Sequence, residues 1–189
     1  MGPRGAGVDL RPPAGGRALS TVLRAAAIGI AVLLLAIAGV TIAARFHDGP
    51  IAIFPGGPFT SGERATGPEP DWSFVREVRE VEFQLLDPPR SRTTWILDHA
   101  GKAYIPCGYM TSWWGRLWKR WPHEAARDPR VLLRIDGQLY ERKLVRIESG
   151  PVVAPLLAEL SRKYAGGREI PMEAVASGSL WLFELAPPD

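Results

Sequence analysis

The chain has 189 residues, with 23 Lys and Arg, 20 Asp and Glu, and a single cysteine, Cys107. One cysteine excludes an intramolecular disulfide and any cysteine-based zinc or iron–sulfur site. The first 24 residues hold four Arg and one Asp, which leaves 19 basic and 19 acidic residues in the remainder, so the net charge of +3 belongs to a short tail and does not indicate a nucleic-acid-binding domain.

Residues 25–44 contain no charged side chain, and no other window of that length in the sequence lacks one. As a helix, at about 1.5 Å per residue, this stretch spans about 30 Å, the thickness of a bilayer's hydrocarbon core. We therefore predict a transmembrane helix over residues 25–44, preceded by a basic tail over residues 1–24.

The charges on either side of this helix predict its orientation. The tail carries Arg4, Arg11, Arg17 and Arg24, whereas the residues just after the helix mix both signs. The positive-inside rule places the tail in the cytoplasm and the rest outside, as in a single-pass protein of a bacterial-type inner (plasma) membrane. A cleaved signal peptide is the alternative, because residues 36–39 offer a small-x-small cleavage site.

Residues 45–71 are rich in proline and glycine and show no periodicity beyond the short run 51–54. This composition predicts a linker between the membrane and the C-terminal part of the chain. Residues 72–189 then form one extracytoplasmic domain, which must be stabilised by its hydrophobic core because it has no disulfide.

Strand patterns fill the first part of this domain. Apolar and polar residues alternate over residues 81–85, which is typical of a half-buried strand. The runs 93–97 and 102–107 flank turn-forming residues and are predicted to form a hairpin. In that hairpin, position 99 faces position 102, and position 107 faces about position 94.

The second part of the domain contains the clearest local sequence pattern, that of a β-hairpin. Asp136-Gly137 joins the runs 131–135 and 139–147, which predicts a two-residue β-turn with both central residues at positive φ. A final strand is expected over residues 180–185.

Two helices complete the predicted domain. Pro122 suits the first turn of a short helix that Pro129 stops. A second helix enters through Pro151 and ends at Gly166. Its apolar face is predicted to hold Leu156, Leu157, Leu160 and Tyr164. The sequence thus predicts an α+β fold, mostly antiparallel because its turns are short, with about six strands and two helices.

Cys107 has two interpretations. A lone cysteine becomes a nucleophile when a histidine activates it, but the predicted hairpin separates it from His99 by about 16 Å along the sheet. The sequence does not place His123. A small buried cysteine at a strand end is the favoured interpretation, and the unrelated spacings of His47, His99 and His123 predict no metal site.

Residues 108–127 are aromatic and basic. Indole rings interleaved with Arg and Lys favour a bilayer interface. The favoured interpretation is that they line a pocket or fill the core beneath a loop. The candidate ligand- or interface-contacting residues are Tyr109, Trp113, Trp114, Trp118 and Trp121.

Three features follow one another between Arg92 and Ile147. The first is a strand pair containing Tyr104-Ile105-Pro106, the second is Asp128-Pro129-Arg130-Val131, and the third is a strand ending Leu144-Val145-Arg146-Ile147. In this order the chain resembles the split β-barrel flavin and deazaflavin oxidoreductases. These are the pyridoxamine-phosphate-oxidase-like group that includes the deazaflavin-dependent nitroreductases.

The resemblance implies a split β-barrel, a homodimer formed through that barrel, and FMN or a deazaflavin as the cofactor. It also implies that basic and hydroxyl side chains near the first hairpin and the following loop hold the cofactor phosphate. These candidate residues are Arg92, Thr94, Thr111, Ser112, Lys119 and Arg120.

Two functions therefore stay open, and no catalytic residue is identified. One is a cofactor-free module that binds an apolar ligand or a partner protein. The other is a flavin- or deazaflavin-dependent oxidoreductase acting on a quinone-like or nitro-aromatic acceptor near the membrane. Export favours the first, because reduced deazaflavin is a cytoplasmic cofactor and a fold does not fix a reaction.

Overall fold

The computed structural model describes residues 15–112 and 120–188. Its contacts divide into two units, with the boundary between Val40 and Thr41. Helix α1, Gly15–Ala44, includes a part, Ser20–Ala44, that is long and apolar enough to cross a membrane. The predicted apolar helix is confirmed. A signal sequence shares this length and composition, so the cleaved alternative stays a prediction.

The domain is built on one sheet, in which the described residues form eight strands. The strands are β1 Glu63–Arg64, β2 Glu80–Leu86, β3 Pro89–Trp95, β4 Leu97–His99, β5 Lys102–Cys107, β6 Arg130–Ile135, β7 Gln138–Ile147 and β8 Trp181–Ala186. Their order is β3-β2-β6-β7-β8-β5-β4, and β1 pairs with β7. All pairs are antiparallel except β1 with β7. The predicted α+β, mostly antiparallel fold is confirmed.

Short helices cover the sheet. They are a 3₁₀ helix Trp72–Glu77, α2 Trp121–Ala125, α3 Val153–Tyr164 and α4 Glu173–Ala176. The two predicted helices correspond to α2, which contains Pro122 at its start, and α3, whose Leu156, Leu157 and Leu160 are buried.

The β6–β7 hairpin forms as predicted. Asp136 and Gly137 both have positive φ, at 48° and 80°, and Ile135 faces Gln138 across the turn. The two additional strands have different origins, since β1 lies in the predicted linker and the predicted run 93–97 divides into β3 and β4.

The predicted hairpin between residues 93 and 107 forms with the predicted register over residues 97–104 only. His99 does face Lys102, but Thr94 pairs with Val81 and Cys107 pairs with Trp181. The reason is a crossover at Ile96, where the chain leaves β3 at one end of the strand order and enters β4 at the other.

Helix α3 stabilises this crossover. The Tyr164 hydroxyl lies 3.1 Å from the amide nitrogen of Ile96 and 2.9 Å from its carbonyl oxygen, and the Lys163 ammonium donates to the same oxygen at 2.7 Å. The two ends of the sheet are thus joined through one residue, without a hydrogen-bonded ladder between β3 and β4 in the described strands.

Two hydrophobic clusters make the core. In the larger, Phe83, Leu133 and Ile105 of three different strands are fully buried. The smaller lies between α3 and the β4–β5 end, around Leu97 and Leu156.

Residues 45–71, the predicted Pro/Gly-rich linker, lie against the sheet. Gly56 forms a bridge with Ser91, and the Phe59 amide donates to the side chain of Gln84. Arg134 on β6 forms ion pairs with Asp48 at 3.0 Å and with Glu82 at 2.6 Å. We call residues 45–64 the strap, because ion pairs and backbone hydrogen bonds hold this segment across the sheet.

Candidate functional site

A cleft of about 980 Å³ lies where the two hydrophobic clusters meet, with Trp121 from the larger and Leu160 from the smaller in its walls. This volume suits an organic ligand. Its polar and aromatic lining includes Arg92, Thr94, Trp95, Cys107, Tyr109, Thr111, Ser112, Tyr164 and Arg168, together with strap residues Ala52, Ile53, Phe54 and Pro55.

Strand register places Arg92 and Thr94 on the core-facing side of the sheet. Arg92 pairs with Phe83 and Thr94 pairs with Val81, and both partners belong to the larger cluster. Directly paired residues project to the same face, and residues two apart share it. A guanidinium group is therefore placed beside the core, where an unpaired charge would be costly.

Glu124 of α2 offsets part of the cost of burying the Arg92 charge. Its carboxylate accepts a hydrogen bond from Nη2 of Arg92 at 3.1 Å, and the two side chains are only 17% and 15% exposed. Burial lowers the pKa of Arg92, while Glu124 opposes that shift. The second terminal nitrogen, Nη1, is buried and has no hydrogen-bond partner among the described residues.

The loop after β5 brings hydroxyl groups to the cleft. Tyr109 adopts a positive φ of 62°, which is an uncommon conformation for a bulky residue. The Ser112 hydroxyl donates to the Tyr109 carbonyl at 2.7 Å, and the Met110 amide donates to the Ser179 carbonyl at 3.0 Å. Strained backbone that is held by several hydrogen bonds is characteristic of functional loops.

Aromatic side chains form one wall. Trp95 and Tyr164 stack with their ring centroids 4.4 Å apart and nearly parallel. Trp95 stays 45% exposed, so the pair offers a flat apolar surface to a ligand. Burial raises the pKa of Tyr164.

Cys107 is buried at the end of β5, as favoured from the sequence, with its sulfur 3.5 Å from that of Met110. The His123 and Trp181 rings are in a T-shaped arrangement, with their centroids 5.2 Å apart. Within the described parts of the chain, no three His, Cys, Asp or Glu side chains are grouped as a metal site requires.

The cleft brings together most of the predicted site residues that the structure describes. Arg92, Thr94, Thr111, Ser112 and Tyr109 line it, and so does Trp121, which packs between Phe83 and Phe183. Arg120 is exposed and is not among the lining residues. The remaining candidates, Trp113, Trp114, Trp118 and Lys119, lie outside the described residues.

Three contributions to the cleft are not predicted from the sequence. The sequence pattern places Trp95 in a hairpin strand, Tyr164 on the apolar face of α3, and residues 52–55 in a linker. The short run 51–54 is the only local pattern in the sequence that marks residues 52–55. No local pattern indicates that Trp95 stacks on Tyr164, because this contact depends on how α3 packs.

The fold and cleft define a small α+β domain with one mostly antiparallel sheet and a ligand-sized cleft. No family model and no curated protein sequence matches the chain.

Two crystal structures are similar to it. The conserved hypothetical protein Rv2991 from Mycobacterium tuberculosis is 14% identical, over 66% of this chain and 86% of that one, with a TM-score of 0.42. A provisionally assigned pyridoxamine 5'-phosphate oxidase from Listeria innocua is 15% identical, over 61% of this chain and 90% of that one, with a TM-score of 0.39. Both are distant likenesses, and neither defines a ligand or a reaction for this chain.

Proposed function

We propose that the protein is a membrane-anchored binding module whose extracytoplasmic domain holds an organic anion in the cleft, without a resident cofactor. The observation that supports this is the buried Nη1 atom of Arg92, which has no acceptor among the described residues. Leaving a buried donor unsatisfied costs about 1–3 kcal/mol. An anionic oxygen of a ligand would remove that cost.

The other lining residues narrow the class of ligand. The hydroxyls of Thr94 and Thr111 would donate to further oxygens of a phosphate, sulfonate or carboxylate group. The stacked rings of Trp95 and Tyr164 would cover a flat apolar body. An aromatic or otherwise apolar organic anion therefore suits the cleft better than an inorganic ion.

Helix α1 would anchor this module in the membrane, with the basic tail in the cytoplasm. A homodimer through the domain is also part of the proposal, as implied by the family resemblance. Analytical ultracentrifugation of the detergent-solubilised protein tests it, and a monomer would contradict it.

An FMN- or deazaflavin-dependent oxidoreductase is the second candidate. The guanidinium of Arg92 and the hydroxyls of Thr94 and Thr111 suit a phosphate monoester, and a volume of about 980 Å³ accommodates a mononucleotide. A bound flavin would supply hydride or electron transfer to a quinone-like or nitro-aromatic acceptor near the membrane.

Absorbance distinguishes the candidates, and ligand titration tests the anion site that they share. The full-length protein would be purified in mild detergent, its spectrum recorded, and its melting temperature measured with FMN and with riboflavin, which lacks the phosphate. A binding module should be colourless as purified. Under either candidate FMN should raise the melting temperature more than riboflavin does, because both candidates place an anionic group at Arg92. A flavin spectrum in the purified protein would instead identify the oxidoreductase.

The matched control is the double variant Arg92→Leu/Glu124→Leu. It removes both members of the buried pair, so neither charge is left alone, and it should abolish the advantage of FMN over riboflavin. Equal shifts with the two compounds in the wild-type protein, or no shift with either, would contradict an anion site at Arg92.

A further inference from the structure

Two large apolar side chains stand out in the strap because of their exposure. Phe46 is 86% exposed and Ile53 is 72% exposed. Among the described residues after α1, no other Phe, Trp, Leu, Ile, Val or Met side chain reaches half exposure. Both belong to the segment that directly follows the last helical residue, Ala44.

The backbone fixes where Ile53 projects. Ile51 and Phe54 exchange two backbone hydrogen bonds, of 3.1 and 2.9 Å, and Ala52 between them has a positive φ of 51°. This tight turn presents Ile53 at its tip. Two paired hydrogen bonds and a left-handed residue make the projection a defined feature of the fold.

The same loop is closed at its base, next to the end of α1. The Gly57 amide donates to the His47 carbonyl at 3.1 Å, and the His47 amide donates to the Ala44 carbonyl at 3.2 Å. Gly57 also packs so closely on the Arg45 carbonyl that a Cβ atom there would lie 2.6 Å from its oxygen. The turn around Ile53 therefore stays tied to residues 45–47.

The part of the strap around Ile53 has no charged residue, whereas Arg45, His47 and Asp48 flank Phe46 and Asp48 is paired with Arg134. The strap is uncharged from Gly49 to Gly62, so no ionic group would need to be dehydrated next to Ile53. Exposed apolar groups gain free energy when they leave water for the interfacial region of a bilayer. A membrane-spanning helix that ends at Ala44 would bring that region to within a few residues of Phe46.

We infer that Phe46 and the turn 51–54 insert into the outer interface of the bilayer that α1 crosses, as a second contact with the membrane. The inference depends on the proposed membrane anchoring. Because Ala52, Ile53, Phe54 and Pro55 also line the cleft, the rim of the ligand site would share the lipid interface.

The test uses a fluorescent label and lipid-borne quenchers on the full-length protein. Cys107, which is buried, is first replaced by Ala so that introduced cysteines are unique. Ile53→Cys and, separately, Leu34→Cys are labelled with bimane and reconstituted into phosphatidylcholine vesicles. Some vesicles carry a nitroxide near the headgroup, and others carry it deep in the acyl chain. Circular dichroism before labelling checks that each variant folds.

The label at Ile53 should lose most of its emission to the shallow nitroxide, and the label at Leu34, in the middle of the apolar stretch, should lose most of its emission to the deep one. Quenching at Leu34 without quenching at Ile53 would overturn the second contact while leaving the anchor in place. Absence of quenching at Leu34 would instead contradict the membrane anchor itself. Introducing Phe46→Asp should reduce quenching at Ile53 and leave it unchanged at Leu34.

Discussion

Arg92 affects both the stability of the fold and the proposed binding of an anion. It pairs with Glu124 while both side chains are largely buried, and one of its nitrogens has no partner among the described residues. Removing one member of such a pair leaves the other charge buried, whereas replacing both with apolar residues is often close to neutral.

The first prediction therefore concerns stability. Arg92→Ala should lower the free energy of unfolding by about 1–3 kcal/mol, because Glu124 loses its partner. Arg92→Leu/Glu124→Leu should recover most of that loss. Denaturant titration of the detergent-solubilised protein measures both. A double variant less stable than Arg92→Ala would show that the ion pair itself stabilises the fold.

Asp48 gives a prediction of pH dependence. Burial works against its charged form, yet hydrogen bonds from Ser61 and Thr60 and the charge of Arg134 lower its pKa to about 2. A carboxylate with a lowered folded-state pKa contributes stability above its unfolded pKa of about 3.9, and this contribution is lost as pH falls toward 2. The stability difference between wild type and Asp48→Asn should therefore be full above about pH 5 and shrink between about pH 4 and 2. A difference that stays constant over that range would contradict this role of Asp48.

At the scale of elements, the strap depends on close backbone contact. A Cβ atom on Gly56 would lie 1.9 Å from the carbonyl oxygen of Gly49, which no small adjustment relieves. Gly56→Ala should therefore detach the strap locally and speed amide exchange at Gly57 and Thr60, as measured by hydrogen–deuterium exchange mass spectrometry.

Gly108→Ala is the matched control for the strap, because a Cβ atom there would have no atom of the described residues within 4 Å. It should leave exchange in the strap unchanged. Unchanged exchange in Gly56→Ala as well would mean that the Gly49–Gly56 contact does not hold the strap.

Helix α3 is predicted to hold the crossover between β3 and β4. The Lys163 ammonium donates to the carbonyls of Val75, Val78 and Ile96 at 2.7–3.0 Å. Lys163→Met removes a donor that the three carbonyls share, and it should lower the free energy of unfolding by about 1–3 kcal/mol. The Val75 and Ile96 carbonyls still accept hydrogen bonds from the Val78 amide and the Tyr164 hydroxyl. Tyr164→Phe, which removes only the hydroxyl, should cost less. Chemical denaturation measures both, and a neutral Lys163→Met would contradict the role.

Elements whose conformation depends on residues nearby in the sequence could be predicted. Elements that depend on contacts with residues far along the chain could not. The Asp136-Gly137 turn and the apolar face of α3 are local patterns, and both are confirmed. The Ile96 crossover could not be predicted, because the groups that satisfy its backbone, Lys163 and Tyr164, lie more than 60 residues along the chain. The strap could not be predicted for the same reason, since Arg134 holds it from another strand.

In the candidate site, too, some residues could be predicted from the sequence and others could not. Arg92 and Thr94 are predicted through a family resemblance, and they do lie on one face of β3, because residues two apart in a strand share a face. Tyr109 and Thr111 lie in the loop that follows β5. The aromatic wall could not be foreseen, since Trp95 meets Tyr164 only when α3 packs across the sheet.

For the whole molecule, the central claim is that the cleft holds an organic anion through Arg92. Native mass spectrometry of the full-length protein, released from detergent in the gas phase, tests it most directly. We predict that wild type retains a small acidic molecule and that Arg92→Leu/Glu124→Leu does not, although both are folded. The same bound mass in the two proteins, or no bound mass in wild type together with no response to FMN, would contradict an anion site in the cleft.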